Sequence, residues 1–172
     1  MKFKKVSNNK EYTRKIEGMG KGLVLFEISA VNKRIGQNYH LFYEDKRKPP
    51  LDIAINPEDG MIEYVSYFVQ DEIITNISDI PVIINEDIGI SIYNKKFNEN
   101  NFDITLEEKF KFWRLENTIL ILKDGLKKTV LNAYSINDLN NLLFMGDYFV
   151  GIEFKSLNQM EIQELNNSEC FL

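Results

Sequence analysis

Residues 51–69 carry the pattern that most constrains the fold. In 51–55 every second residue is a branched apolar one, which places these side chains on one face of a β-strand. The segment 56–60, Asn-Pro-Glu-Asp-Gly, has turn chemistry, because proline presets φ and glycine accepts a left-handed backbone. A largely apolar run resumes at 61–69. The sequence therefore predicts a β-hairpin over 51–69.

Further turn signals predict more strands. An Asp-Gly pair between two apolar runs predicts a second hairpin over 117–135. A Gly-Asp pair predicts a third hairpin over 142–154, and shorter strands are expected at 81–84 and 88–93. The segment 105–115 is compatible with a helix or a strand, and its alternating Lys and Phe residues favour a strand from Lys109 onward.

Helical signals are few. Residues 8–17, which are followed by Gly18, are compatible with a helix. Ser156 and Gln159 have capping-box spacing, and an apolar stripe follows, so a C-terminal helix is predicted at 156–166.

The length of 172 residues and the 44% apolar content suit one domain with a real core. We expect a single domain over 1–172 of the β-rich α+β class. Its parts are a basic N-terminal arm or helix at 1–22, a β-rich core at 23–155, and the C-terminal helix at 156–166. The core is expected to be a mostly antiparallel curved sheet or partial barrel built from hairpins, with two or three short helices.

One short similarity within the chain indicates an internal duplication. Residues 62–66 read Ile-Glu-Tyr-Val-Ser and residues 152–156 read Ile-Glu-Phe-Lys-Ser. Each segment follows a predicted strand and a tight turn. Two related hairpin units within one domain are therefore one interpretation of the sequence.

Several kinds of chemistry lack the residues they need. One cysteine, Cys170, and one histidine, His40, form neither an internal disulfide nor a multi-cysteine zinc site. We interpret His40 as a polar side chain that faces solvent from an edge of its aromatic strand, 39–43. The glycine-rich segment 18–22 lacks P-loop spacing and is interpreted as a flexible lead into the first strand. Adjacent carboxylates on turns are expected to be solvated. We therefore predict no catalytic residue, no metal, no cofactor and no enzymatic activity.

Apolar runs of at most four residues are too short to span a membrane, and the N-terminus lacks a secretory apolar region. The richness in Asn, Ile and Lys is typical of an AT-rich bacterial genome. A bacterial, cytoplasmic protein without a membrane partner is expected.

The charge distribution is the most informative feature for function. Residues 1–22 hold seven Lys or Arg against two Glu, a net charge of +5, within a chain of net charge −5. Residues 51–94 hold nine acidic residues and no Lys, Arg or His. This charge repels nucleic acid and attracts a basic protein surface. The candidate partner-binding residues are Glu58, Asp59, Asp71, Glu72, Asp79, Glu86 and Asp87.

Two functions remain open. The first is a non-enzymatic protein-binding module, such as an immunity or antitoxin-type protein that occludes a basic toxin or nuclease. The alternative is a small enzyme or ligand-binding protein with a pocket inside the curved sheet. A third interpretation of the acidic region is purely structural: the 1–22 arm lies across these acids and neutralises them. The sequence does not indicate the oligomeric state.

Overall fold

The computed structural model of the protein describes residues 2–7, 9–75, 80–126 and 129–169. In these ranges the chain forms fourteen strands and one helix. They are β1 (Lys2–Val6), β2 (Tyr12–Gly20), β3 (Leu23–Ala30), β4 (Tyr39–Glu44), β5 (Leu51–Ile55), β6 (Ile62–Gln70), β7 (Val82–Asn85), β8 (Gly89–Tyr93), β9 (Asp103–Glu107), β10 (Phe110–Leu115), β11 (Thr118–Lys123), β12 (Val130–Asn137), β13 (Asn140–Met145), β14 (Tyr148–Phe154) and α1 (Gln159–Asn167).

The strands form two six-stranded sheets and one two-stranded ribbon. The first sheet has the order β2-β3-β6-β5-β4-β9, and the second has the order β10-β11-β14-β13-β12-β7. Neighbouring strands are antiparallel except at one edge of each sheet, where β9 runs parallel to β4 and β7 runs parallel to β12. The chain is β-rich, and its mostly antiparallel sheet structure includes a curled half-barrel, as the sequence predicts. The expectation of an α+β class with two or three helices was slightly off, because one helix is present in the described residues.

The inner faces of the two sheets pack against each other through aromatic rings. Phe26 on β3 is fully buried, and its ring lies 5.0 Å from that of Phe154 and 6.1 Å from that of Phe112. Both partners belong to the second sheet. The alternation of side chains along each strand therefore sends one apolar row from each sheet into a shared core.

The ribbon of β1 and β8 links the two sheets. The ring of Phe3 on β1 lies 4.9 Å from Tyr134 and 4.8 Å from Phe144 in the second sheet. On β8 the amide of Ile92 donates to the carbonyl of Gly60 beside the first sheet, at 2.7 Å. Residues of the basic N-terminal segment are thus part of the folded core.

The two sheets have the same topology. Each sheet begins with an antiparallel pair, β2–β3 or β10–β11. The second strand of this pair lies next to a three-stranded meander, β6-β5-β4 or β14-β13-β12. A parallel strand, β9 or β7, forms the far edge. The five antiparallel strands of each sheet form one unit, β2–β6 or β10–β14. The parallel strands β7 and β9 both come from the segment between these two units. Each unit is therefore completed by a strand from the connecting segment.

The short similarity between 62–66 and 152–156 falls on equivalent strands of this repeat, β6 and β14. Tyr64 pairs with Ser29, and Phe154 pairs with Ile119. The separation along the chain from Tyr64 to Phe154 equals that from Ser29 to Ile119. The register therefore supports the interpretation of two related units.

The hairpin predicted over 51–69 is confirmed as β5 and β6. Its turn closes with a hydrogen bond from the amide of Gly60 to the carbonyl of Asn56, at 2.9 Å. Gly60 has φ of +71°, and a Cβ there would lie 2.6 Å from the carbonyl oxygen of Ile92. Both its backbone conformation and its surroundings thus require glycine.

The hairpin predicted over 117–135 was wrong. The strand β11 pairs with β10 and β14, whereas β12 pairs with β13 and β7. Residues 119–122 are buried on both faces of the strand, so this strand needs a neighbour on each side. A turn is present at 124–125, but the strands that flank it do not pair with each other. The hairpin at 142–154 and strands near 81–84 and 88–93 are confirmed, and 110–115 is a strand.

The helix considered at 8–17 was also wrong, because residues 12–20 form β2. Alternate residues of β2 point inward: Ile16 is buried and lies opposite Phe26 of β3. Arg14 lies on the same side and reaches the C-terminal helix. These residues alternate with the period of two that is typical of a strand. The contacts that stabilise this strand are made with β3 and α1.

The C-terminal helix is confirmed at 159–167 with a different cap. The side chain of Asn158 accepts from the amide of Glu161, and the Glu161 carboxylate accepts from the amide of Asn158, both at 2.9 Å. Ser156, the predicted cap, has φ of +51° and lies outside the helix. A capping box is therefore present, as predicted, but it begins at Asn158, two residues further along the chain.

Candidate functional site

The predicted acidic residues do not form one continuous surface. Glu58 and Asp59 lie in the turn before β6, and Asp71 and Glu72 follow its other end. Since β6 has nine residues, the two pairs are roughly 30 Å apart. Glu86 and Asp87 lie between β7 and β8, and Asp79 lies outside the described residues. Among the described members Glu58, Asp59, Asp71 and Asp87 are exposed.

Glu72 has a structural role. It is 8% exposed and forms a buried ion pair with Lys48, whose ammonium also donates to the hydroxyl of Tyr67 at 2.7 Å. Burial lowers the pKa of Lys48, while the carboxylate of Glu72 acts in the opposite direction. Glu72 is therefore not available to a partner.

Part of the remaining acidic charge is neutralised by the N-terminal segment. Lys5 lies 2.7 Å from the carboxylate of Glu86, and Lys10 lies 2.5 Å from the carboxylate of Glu63. The apolar residues Phe3 and Ile16 of the same segment pack into the core. The segment therefore pairs with some of the acids in 51–94, as the structural interpretation of this region expects.

The outer face of the first sheet brings other residues together, and we name it the open face. Two rows of its side chains follow from the strand register between β3 and β9. One row is Glu27, Ser66, Asp52, Phe42 and Thr105, and the next is Ser29, Tyr64, Ala54, His40 and Asp103. Five strands about 4.8 Å apart make this face roughly 20 Å wide.

A hydrogen-bonded cluster lies at the centre of the open face. The carboxylate of Asp52 accepts from the hydroxyl of Tyr64 at 2.5 Å and lies 3.0 Å from Nδ1 of His40. The hydrogen bond to Asp52 raises the pKa of His40 despite partial burial, with a smaller contribution from Asp103. Burial, followed by the contact with Asp52, raises the pKa of Tyr64. The cluster fixes a carboxylate and two rings in one arrangement.

The side chain of His40 faces solvent only in part. Its strand, β4, lies between β5 and β9, and the imidazole side chain is 21% exposed. Strand pairing places His40 beside Asp52, which comes from the next strand. The ring stacks on Phe42 with a centroid distance of 5.3 Å and an interplanar angle of 10°.

The rings on the open face are only half-buried. His40, Phe42, Tyr64 and Phe68 all have intermediate exposure, with Leu25 opposite Phe68. Carboxylates of Glu27 and Asp103 lie in the same two rows. The open face is thus both aromatic and acidic.

The equivalent face of the second sheet is covered. Its outward residues form a buried apolar cluster of Trp113, Leu120, Leu122, Leu131, Ala133, Leu143 and Val150. Ile80 before β7, Ile83 on β7 and Leu126 after β11 pack against this cluster. Two sheets of equal topology therefore differ in whether the outer face is accessible.

Other candidate sites have structural explanations. The glycine-rich segment 18–22 comprises the end of β2 and the turn to β3. The amide of Gly22 donates to the carbonyl of Ser168 at 2.6 Å. Among the carboxylate pairs, Glu107 lies 2.7 Å from Lys46 and Glu108 lies 2.6 Å from Lys123. In the ranges that the structure describes, no group of three potential ligands is arranged to hold a metal ion. The one helix seen in those ranges is too short to cross a lipid bilayer.

No known protein family matches this chain, and no curated protein has significant sequence similarity to it.

Proposed function

We propose that this chain is a non-enzymatic protein-binding module of the immunity or antitoxin type, and that it binds a partner with a basic surface. The open face is the binding surface of this proposal. The observation that carries it is the placement of half-exposed aromatic rings beside carboxylates on an accessible sheet face. Aromatic residues in such positions supply much of the binding energy of protein interfaces.

The charge of the open face favours a basic partner. Glu27, Asp52 and Asp103 lie within two adjacent rows, and His40 lies among them. At the edge of this face Lys15 pairs across the strands with Glu27, and Lys33 lies 4.0 Å from the same carboxylate, so they offset part of this charge. The exposed acids Glu58 and Asp71 lie beyond the two ends of β6, which crosses this face. Carboxylates in this arrangement speed the encounter with a basic protein and repel phosphate backbones.

The experiment measures binding to the basic protein encoded by a neighbouring gene, the expected location of a toxin that an immunity-type protein neutralises. We expect association to slow as salt rises, because long-range attraction is screened. Charge reversal by Glu27→Lys and Asp103→Lys is expected to slow association and flatten the salt dependence. Phe42→Ala is expected to weaken binding by about 2 kcal/mol or more, as at an interface hot spot.

Matched controls lie away from the open face. Glu116→Lys and Asp138→Lys reverse exposed acids in turns of the second sheet, and Met160→Ala removes an exposed apolar side chain on α1. These variants are expected to bind as the unmodified protein does. Equal losses in the control variants and in the open-face variants would refute the choice of surface. Absence of binding to any basic neighbour-encoded protein would refute the proposed function.

A further inference from the structure

A cavity of about 640 Å³ lies between the two sheets. It is found where β4 and β9 of the first sheet face the β13–β14 hairpin and the end of β11 in the second. Its deep wall is apolar, and Leu41, Tyr43, Ile104 and Phe149 in this wall are all less than 9% exposed. The volume falls within the range of about 300–1,000 Å³ that small-molecule sites occupy.

The mouth of the cavity exposes apolar side chains. Leu106 is paired with Tyr43, so it belongs to the inner face of the first sheet, yet it is 40% exposed. Met145 is 40% exposed and Tyr148 is 70% exposed, and both also line the cavity. Inner-face positions of packed sheets are normally buried. The interior of the protein is therefore accessible to solvent at this mouth.

Among the described residues around the mouth, one ammonium has no counter-ion. Lys123 lies 2.6 Å from the carboxylate of Glu108, and Asp124 lies 2.9 Å from Lys111. Lys96 also lines the cavity and forms no ion pair with any residue that the structure describes. The cavity thus joins an apolar interior to an available positive charge.

We propose that this cavity binds a small anionic amphiphile, with its aliphatic or aromatic body against the apolar wall and its carboxylate near Lys96. Burial of the apolar body removes the exposed mouth residues from water. A concave cavity of this size suits a small molecule, whereas a protein partner needs roughly 800 Å² of surface on each side. This inference goes beyond the proposed protein-binding function and uses a different part of the molecule.

The probe is decanoate, compared with decylammonium and decanol of the same chain length. Methyl-resolved NMR of the full chain follows Leu41, Ile104 and Met145 during titration. We expect decanoate to shift these methyl signals with a dissociation constant of about 0.1–1 mM, as expected for a ligand of this size. Decylammonium is expected to bind at least about tenfold more weakly than decanoate, because Lys96 repels its head group.

Variants at the mouth separate a specific site from surface adsorption. Leu106→Trp fills the opening and is expected to weaken decanoate at least about tenfold, whereas Leu139→Trp, at a residue of 39% exposure in the β12–β13 turn, leaves binding unchanged. Met145→Glu adds a negative charge at the mouth and is expected to weaken decanoate similarly. Lys96→Gln is expected to remove the preference over decylammonium, and Lys95→Gln, outside the cavity, to preserve it.

Three results would overturn the inference. The first is the absence of cavity methyl shifts with all three probes at millimolar concentration. The second is equal affinity for decanoate and decylammonium, which would exclude an anionic head group near Lys96. The third is shifts confined to the open face, which would show adsorption to another surface. Spectra of Leu106→Trp and Met145→Glu without ligand verify that each variant is folded, and either variant alone tests the site.

Discussion

The ion pair between Arg14 and Glu161 joins the N-terminal strand β2 to the C-terminal helix, and its removal is expected to destabilise the whole fold. The Arg14 side chain is 4% exposed and that of Glu161 is 11% exposed. The guanidinium donates to both carboxylate oxygens, at 2.8 and 2.7 Å, and to the carbonyl of Lys155 at 2.7 Å. Arg14→Met retains most of the aliphatic stem but leaves the Glu161 carboxylate buried without its partner.

The expected loss follows from that orphaned charge. Removal of one partner from a buried ion pair costs about 3–5 kcal/mol in free energy of unfolding. Urea denaturation followed by the fluorescence of Trp113, the one tryptophan in the chain, measures this loss as a lower transition midpoint. The control Lys46→Met breaks an exposed ion pair with Glu107 and is expected to leave the midpoint unchanged.

A double variant separates charge from packing. Arg14→Met combined with Glu161→Met removes both charges, so the uncompensated carboxylate disappears and most of the stability is expected to return. The remaining deficit is about 1 kcal/mol, because Glu161 also completes the helix cap with Asn158. The reasoning is refuted if Arg14→Met is no less stable than Lys46→Met. It is also refuted if the double variant is less stable than the unmodified protein by the full sum of the losses in Arg14→Met and Glu161→Met.

Two further predictions concern single sites. Gly60→Ala is expected to lower the free energy of unfolding by about 1–3 kcal/mol in urea denaturation, because φ is positive and the new Cβ meets the carbonyl of Ile92, whereas Gly125→Ala, with open space around it, is expected to cost less. In an NMR titration the imidazole signal of His40 is expected to show a raised pKa that falls in Asp52→Asn. Because the folded-state pKa is raised, the interaction stabilises the fold fully below the ordinary histidine pKa and is lost as pH rises through the folded value. An unchanged His40 pKa in Asp52→Asn would contradict this reasoning.

Local patterns in the sequence predicted strands better than they predicted strand partners. The hairpin at 51–69 was predictable because its turn residues and its alternation act within a short segment. The pairing of β11 with β10 and β14 was not, since a strand that is apolar on both faces fits several neighbours equally well. The strand at 12–20 was missed for a related reason: its inward contacts are with β3 and α1, which lie elsewhere in the chain.

The open face shows a similar limit on predicting a site. The alternation in 39–43 and in 51–55 indicates that His40 and Asp52 point away from apolar neighbours, but only the register between β4 and β5 makes them neighbours. The charge pattern in 51–94 identified exposed acids such as Glu58 and Asp59. It did not distinguish them from Glu72, because the buried partner of Glu72 is Lys48, outside that region.

The repeated topology gives the open face its significance. Both units place one row of apolar side chains in the shared core, and this requirement explains why their inner faces are similar. Their outer faces have no such common requirement, and they differ: Trp113 and Leu120 of the second sheet are covered by adjacent segments, whereas Tyr64 and Ser29 occupy the open face of the first. The open face keeps half-exposed rings and carboxylates, whereas the equivalent face of the second sheet is buried within the same chain. Packing of the fold does not require these exposed rings and carboxylates. They are the residues that the proposed binding function uses.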